Sequence, residues 1–192
     1  MDKARFFVHD SAIIDPGARI GDGCRIWHFS HLMPACTVGE KCIIGQNVFI
    51  DNQVVIGNGV KIQNNVSVYN GVMVEDDVFL GPSVVFTNVI NPRSFIERKN
   101  EFRKTIIRKG ASIGANATIL CGIEVGAYAL IGAGAVVTKD VRPFAVMTGI
   151  PASQSGWVSE AGNMLHFNKS NQSICPTTGE VYILEDGGVR KG

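Results

Sequence analysis

The sequence predicts an all-β solenoid: a parallel β-helix carrying one inserted loop and a short α/β C-terminal tail. Two observations predict it. Between residues 14 and 86 a large apolar residue recurs at every sixth position, beginning Ile14, Ile20, Ile26, Leu32, Val38, Ile44 and ending Val74, Leu80, Phe86. Four places after each of these rungs stands a small or β-branched residue: Ala18, Cys24, Ser30, Cys36, Cys42, then valine at every step from 48 to 84. A helix repeats about every 3.6 residues and a strand about every two, so neither generates a strict period of six. A hexapeptide repeat does, and it marks a parallel β-helix.

Residues 1–11 are a polar and aromatic lead-in, expected to cap the open end of the stack. Residues 12–141 form the solenoid. Three hexads close one triangular coil, and the turn chemistry follows that longer period: Gly21, Gly39 and Gly57 align, with Glu75 next. Small and polar residues suit corners where the backbone bends and coils approach closely. Residues 87–106, TNVINPRSFIERKNEFRKTI, break the rhythm, which resumes in a new phase at Ile107. A loop of that length inside a tight solenoid is usually functional. Residues 142–192 leave the repeat. Pro143 and Pro151 bracket an exit segment, SGWVSEAGNMLHF is expected to form a short helix, and VYILEDGG reads as a strand entering a glycine turn. The tail is expected to pack on its own or a neighbouring solenoid.

Composition narrows the function. Net charge is +1 and no basic stripe is present, which argues against nucleic acid. Charged residues are 18% and glycines number 22, a balance suited to stacked coils with some surface hidden in an oligomer. The start lacks an apolar signal core and no long apolar run follows, so no membrane insertion and a cytoplasmic location are expected. Cys24 and Cys42 should stack on adjacent coils about 4.8 Å apart. On distance alone that spacing would permit a disulfide, but reduced buried thiols acting as small hydrophobes are expected in a cytoplasmic chain, and no CxxC or Cys/His spacing points to zinc.

Corner residues offer the chemistry. Asn52, Asn70 and Asn88 form a ladder up one edge, the first two as ordinary turn residues. Asn88 differs because it opens the inserted loop. Arg93 in the inserted loop carries a guanidinium suited to an anionic group of a ligand, with pairing to Glu97 as the alternative. Gln63, Asn64 and Asn65, together with Tyr69 and Asn70 at the corner that follows, are the candidates to bind a polar acceptor substrate. His28 and His31 flank Phe29 and can face a neighbour's cleft or simply lie at the surface. No histidine lies between residues 32 and 165, so the loop has no histidine base in the same chain.

The stretch GASIGANATILCGIEVGAYALIGAGAVVTKDVRPFAVMTGIP resembles the acetyl-coenzyme A-binding end of left-handed β-helix acyltransferases. KIQNNVSVYNGV and VFTNVINPRSFIERK resemble the hexapeptide-repeat nucleotide-sugar N-acetyltransferases, within them the UDP-2-acetamido-3-amino-2,3-dideoxyglucuronate N-acetyltransferases of bacterial O-antigen synthesis. The resemblance implies a homotrimer with sites between solenoids, acetyl-CoA as donor, a UDP-amino sugar as acceptor and no metal. It places Asn88 beside the acceptor amine. It implies coenzyme A contacts from Gly132, Ala133, Gly134, Thr138, Lys139, Gly149, Ile150 and Pro151, with Lys139 and Arg142 available for phosphates. The arginine that relatives often carry after the exit Pro-Ala is Ser153 here.

Three other readings are weaker. A metal-dependent lyase on this scaffold needs three converging histidines, and only His28 and His31 lie on neighbouring coils. A non-catalytic scaffold needs neither the loop nor the exit motif. An O-acetyltransferase acting on a hydroxyl has more need of a base than this chain supplies.

Overall fold

In the computed structural model, which describes residues 6–192, short parallel strands stack into three flat sheets of nine, seven and six strands. These are the three faces of a triangular prism. Strands Ile43–Ile44, Phe49–Ile50 and Val55–Ile56 lie on the first, second and third face in turn. Each face repeats after one coil of eighteen residues: Ile43 pairs with Arg25 before it and Lys61 after it. The expected rungs all point inward, and Ile26, Leu32, Ile44, Ile50, Ile62 and Leu80 are fully buried. The small partners fill the corners: Ser30 Oγ donates to Gly45 O at 2.7 Å, and Cys24 Sγ to Gly39 O at 3.0 Å. All five cysteines are free. Burial pushes the Cys42 thiol up to about 12, so it behaves as a small hydrophobe.

Corner glycines are required by contact between coils. A Cβ on Gly114 would lie 2.5 Å from the Ala133 nitrogen on the next coil. The inserted loop springs from the edge between the second and third faces. Its two ends are the strands Val85–Phe86 and Thr105–Ile107, and Val74 pairs with Ile107, thirty-three residues on instead of eighteen. The phase shift read in the sequence is therefore absorbed in one corner, and the stack continues undisturbed above it.

On the edge between third and first faces, Arg108 bridges two coils. It reaches Glu124 through two hydrogen bonds of 2.8 and 2.7 Å and Glu75 through one of 2.7 Å. The guanidinium holds the Glu124 carboxyl below the ordinary value of 4.5. Such a carboxylate stabilises the fold above its unfolded value, and the benefit is lost as pH falls through the folded one. Arg108→Leu should therefore lower the thermal midpoint at neutral pH, with the gap to the native protein closing on acidification below about pH 4. Midpoints measured at pH 7 and pH 3.5 check this.

At the two ends one expectation changes. The N-terminal lead-in joins the first face, with Phe7–Val8 pairing with Arg25–Ile26; residues 1–5 of that expected cap lie outside the described residues. The helix expected in SGWVSEAGNMLHF does not form. Strand Ser153–Trp157 instead runs antiparallel to Ala145–Thr148 on the first face, and Val158 bridges Met164. The segment has no helical apolar stripe, and the open edge of the first face offers its backbone partners. The expected strand is present as Val181–Glu185 in a three-stranded sheet. That sheet packs on its own solenoid through Tyr128, Phe144 and Tyr182, whose ring centroids are 5.4 and 5.7 Å apart. No helix among the described residues is long and apolar enough to cross a membrane.

Candidate active site

The edge between second and third faces carries the asparagine ladder. Asp51 organises its base: Oδ1 accepts from the Asn52 nitrogen at 2.7 Å and Oδ2 from the Asn70 nitrogen at 3.2 Å. Asn70 Nδ2 donates to Asn52 Oδ1 at 2.9 Å and to the Asn52 carbonyl at 3.0 Å. Asn70, expected to contact substrate, instead spends its side-chain amide as a corner strut between coils. Tyr69 is half-buried and packs 6.3 Å from Phe49, which lies 5.8 Å from His31, forming an aromatic stripe on the second face.

Asn88 stands one rung higher and behaves differently. Its backbone carbonyl accepts from the Arg103 nitrogen at 3.0 Å, which ties the outgoing limb of the loop to the returning one. Thr87 Oγ1 accepts from the Cys121 nitrogen at 2.9 Å and anchors the same neck to the coil above. The Asn88 carboxamide has no hydrogen-bond partner among the described residues. The neck is fixed at both sides while its polar end is left available.

Below the neck a cleft of about 270 Å³ is lined by Gln53, Asn70, Met73, Phe102 and Lys104. Within the loop a second cavity of about 240 Å³ is lined by Arg93, Ile96, Arg98 and Phe102. Arg93 does not pair with Glu97. It donates to the Pro92 carbonyl at 3.0 Å, while Glu97 pairs with Lys99 at 3.5 Å. The exposed Arg93 guanidinium keeps most of its donors for a ligand.

The edge between first and second faces is built differently. Its leading corner position reads Trp27, Gly45, Gln63, Gly81, Gly114, Gly132 from coil to coil, so in the upper half that position carries no side chain and only short turn residues such as Pro82, Ala115 and Ala133 follow it. Asn64 Oδ1 accepts from the Gln46 nitrogen at 2.9 Å, and Asn65 Oδ1 accepts from Asn47 Nδ2 at 3.1 Å. At the top, Gly132 donates to the Met147 carbonyl and Gly134 to the Ala115 carbonyl, both at 2.8 Å. The exit chain folds over this corner: the Gly149 carbonyl accepts from Val136 at 3.1 Å, and Ala152 donates to Val136 at 2.8 Å. Gly132, Ala133 and Gly134 therefore sit beside Gly149, Ile150 and Pro151. Thr138 and Lys139 are exposed at the same height on the other edge, across the second face. Arg142 is spent on the tail, donating to the Gly187 carbonyl, which leaves Lys139 as the phosphate candidate.

Neither histidine reaches the loop. His28 stacks on His9 with centroids 3.4 Å apart, and His31 Nε2 lies 3.0 Å from Asp15 Oδ2. His31 is three coils below Val85, about 14 Å along the prism. No group of three histidine, cysteine or acidic residues among the described residues can hold a metal.

The model of the bacterial transferase hexapeptide repeat matches residues 17–52, 53–88 and 104–139, leaving out the loop. The chain belongs to the bacterial hexapeptide transferases. It is 45% identical over 181 residues to a dTDP-3-amino-3,6-dideoxy-alpha-D-galactopyranose 3-N-acetyltransferase of Aneurinibacillus thermoaerophilus, covering 94% of this chain and 92% of that one. This hexapeptide transferase is an acetyltransferase. Its fold is shared with the acetyltransferase domain of PglB from Neisseria gonorrhoeae FA1090 in complex with acetyl coenzyme A, at TM-score 0.53 and 19% identity over 78% of this chain and 57% of that one. It is shared too with LpxA, a UDP-N-acetylglucosamine acyltransferase from Bacteroides fragilis, at TM-score 0.50 and 18% identity over 82% and 74%.

The sequence did not flag Trp27, Gln46, Gln53, Phe102 or Lys104 as cleft residues. Residues 18 apart become neighbours only when coils stack, so the signal lay in reading columns at that spacing. The corner column of Trp27, Gly45 and Gln63 was open to such a reading.

Proposed function

We propose that this hexapeptide transferase carries the acetyl group of acetyl-CoA to the 3-amino group of a nucleotide-linked sugar used in bacterial surface polysaccharide. The observation that carries the reading is the unpartnered Asn88 carboxamide, held at a doubly anchored loop neck in a chain with no histidine nearby. The neutral amine donates N–H to Asn88 Oδ1, which turns its lone pair toward the thioester carbonyl. Attack forms the C–N bond, collapse breaks the C–S bond, and the proton leaves nitrogen for the departing thiolate, giving the amide and free coenzyme A. An amine needs no strong base once neutral, so His28→Ala and His31→Ala should keep kcat within a few fold of the native value. Steady-state kinetics on both variants check this.

The acceptor is a UDP-linked 2-acetamido-3-amino uronic acid on the resemblance of the loop sequence, with Arg93 pairing to its carboxylate. A dTDP-linked neutral 3-amino sugar is the second reading, favoured by the name of the full-length relative. Three copies assemble about an axis parallel to the prism. The second face, with Ile13 57% and Val85 48% exposed, turns inward, and the charged edge around Arg108 faces solvent. The bare first edge of one copy then meets the loop edge of the next, and coenzyme A lies between them.

Thiol release from acetyl-CoA against a panel of UDP- and dTDP-linked 3-amino sugars and their 3-hydroxy counterparts tests the reading. Turnover with amines alone is expected. Turnover only with the hydroxyl compounds would overturn it.

A further inference from the structure

We infer that the slot beside Trp27 on the first edge is the subsite for the pyrimidine base of the acceptor nucleotide, an inference that rests on the proposed function. The slot has a volume of about 360 Å³ and is lined by Trp27, His28, Ile43, Gln46, Gln63 and Asn64. It exists because of one missing side chain. In the corner column Trp27, Gly45, Gln63, the glycine opens a gap two coils tall, about 10 Å between the backbones of Trp27 and Gln63. A side chain cannot be restored there, since a Cβ on Gly45 would lie 2.9 Å from the Asn64 nitrogen and 2.7 Å from its Oδ1.

The lining has the chemistry of a base site. The indole is 38% exposed and supplies a flat aromatic wall. Asn64 Oδ1 is held by the Gln46 nitrogen, which leaves its Nδ2 as a donor. The carboxamides of Gln46 and Gln63 have no partner among the described residues. No lysine, arginine, aspartate or glutamate lines the slot, so it does not suit a phosphate or a carboxylate. A neutral ring with alternating carbonyl and N–H groups along one edge matches side-chain amides, which offer both donor and acceptor.

Height gives the second argument. Rotation about an axis parallel to the prism keeps every residue at its own level, so a neighbour's Asn88 stands level with Gly81. Going up the first edge, the slot comes first, the level of Asn88 lies two coils above Gly45, and the glycine corner at Gly132 lies two coils higher again. About 10 Å separates base from amine, a gap for the diphosphate and sugar ring to span, and the coenzyme reaches down from above.

Tryptophan fluorescence tests the inference, because the chain has only two tryptophans and Trp157 lies in the strand Ser153–Trp157, beyond the exit segment. UMP and dTMP should quench the native protein in a saturable way, GMP and AMP should not, and Trp27→Leu should lose the response. Gln63→Leu should raise KM for the nucleotide sugar about tenfold while KM for acetyl-CoA stays unmoved. Quenching that survives Trp27→Leu, equal quenching by GMP, or no quenching in a protein that turns over amino sugars would overturn the subsite. Saturable quenching by UMP without turnover of any amine would leave the subsite standing and sink the acceptor reading.

Discussion

Asn88→Ala should lower kcat for amine acetylation about a hundredfold or more, with KM for acetyl-CoA and the thermal midpoint close to native. The carbonyl of residue 88 that accepts from Arg103 is backbone and survives the substitution, as does the Thr87 anchor to Cys121. What is removed is one carboxamide that has no hydrogen-bond partner among the described residues. Asn70→Ala provides the contrast. Its side chain links adjacent coils through Asn52, so its loss should appear first as stability, about 1 kcal/mol, rather than as rate. Rate and melting measurements on the two variants separate a catalytic asparagine from a structural one on the same edge.

Ile62→Ala should cost about 2–5 kcal/mol of stability and flatten the unfolding transition. Ile62 is fully buried, and its strand Lys61–Ile62 pairs with Ile43–Ile44 below and Phe79–Leu80 above. A solenoid contacts only its nearest neighbours, so a cavity in a middle coil weakens both interfaces and lets the two halves melt separately. Chemical denaturation followed by fluorescence and by circular dichroism checks this, with non-coincident transitions as the signature.

Much of the fold was legible because hexads are local. Each rung such as Ile44 or Val68 declares its inward direction through its own place in the period, and the coil length follows from corner residues such as Gly39 and Gly57. The loop was legible for the same reason: a strict rhythm exposes its own interruption. The tail was not. Ser153–Trp157 becomes a strand because Ala145–Thr148 presents an open edge, and that depends on residues outside the segment. The candidate site was legible only as a set of positions. Asn88, Arg93 and the glycine corner could be named from position and resemblance. That Asn70 is engaged and Asn88 is free depends on hydrogen bonds between coils. The Trp27 slot depends on a side chain that Gly45 lacks, and an absence shows only once neighbouring coils are in place.

The central claim is that each site joins the Asn88 loop edge of one copy to the bare glycine edge of the next. Mixing two inactive variants tests it most directly. Asn88→Ala removes the first half, and Ala133→Trp, at an exposed corner beside Gly132 and Gly134, blocks the second. Co-refolded at equal amounts, every mixed trimer contains one boundary where both halves are intact, so activity should return to about a quarter of native. Mixtures as inactive as the separate variants would contradict the account and place the whole site within a single chain.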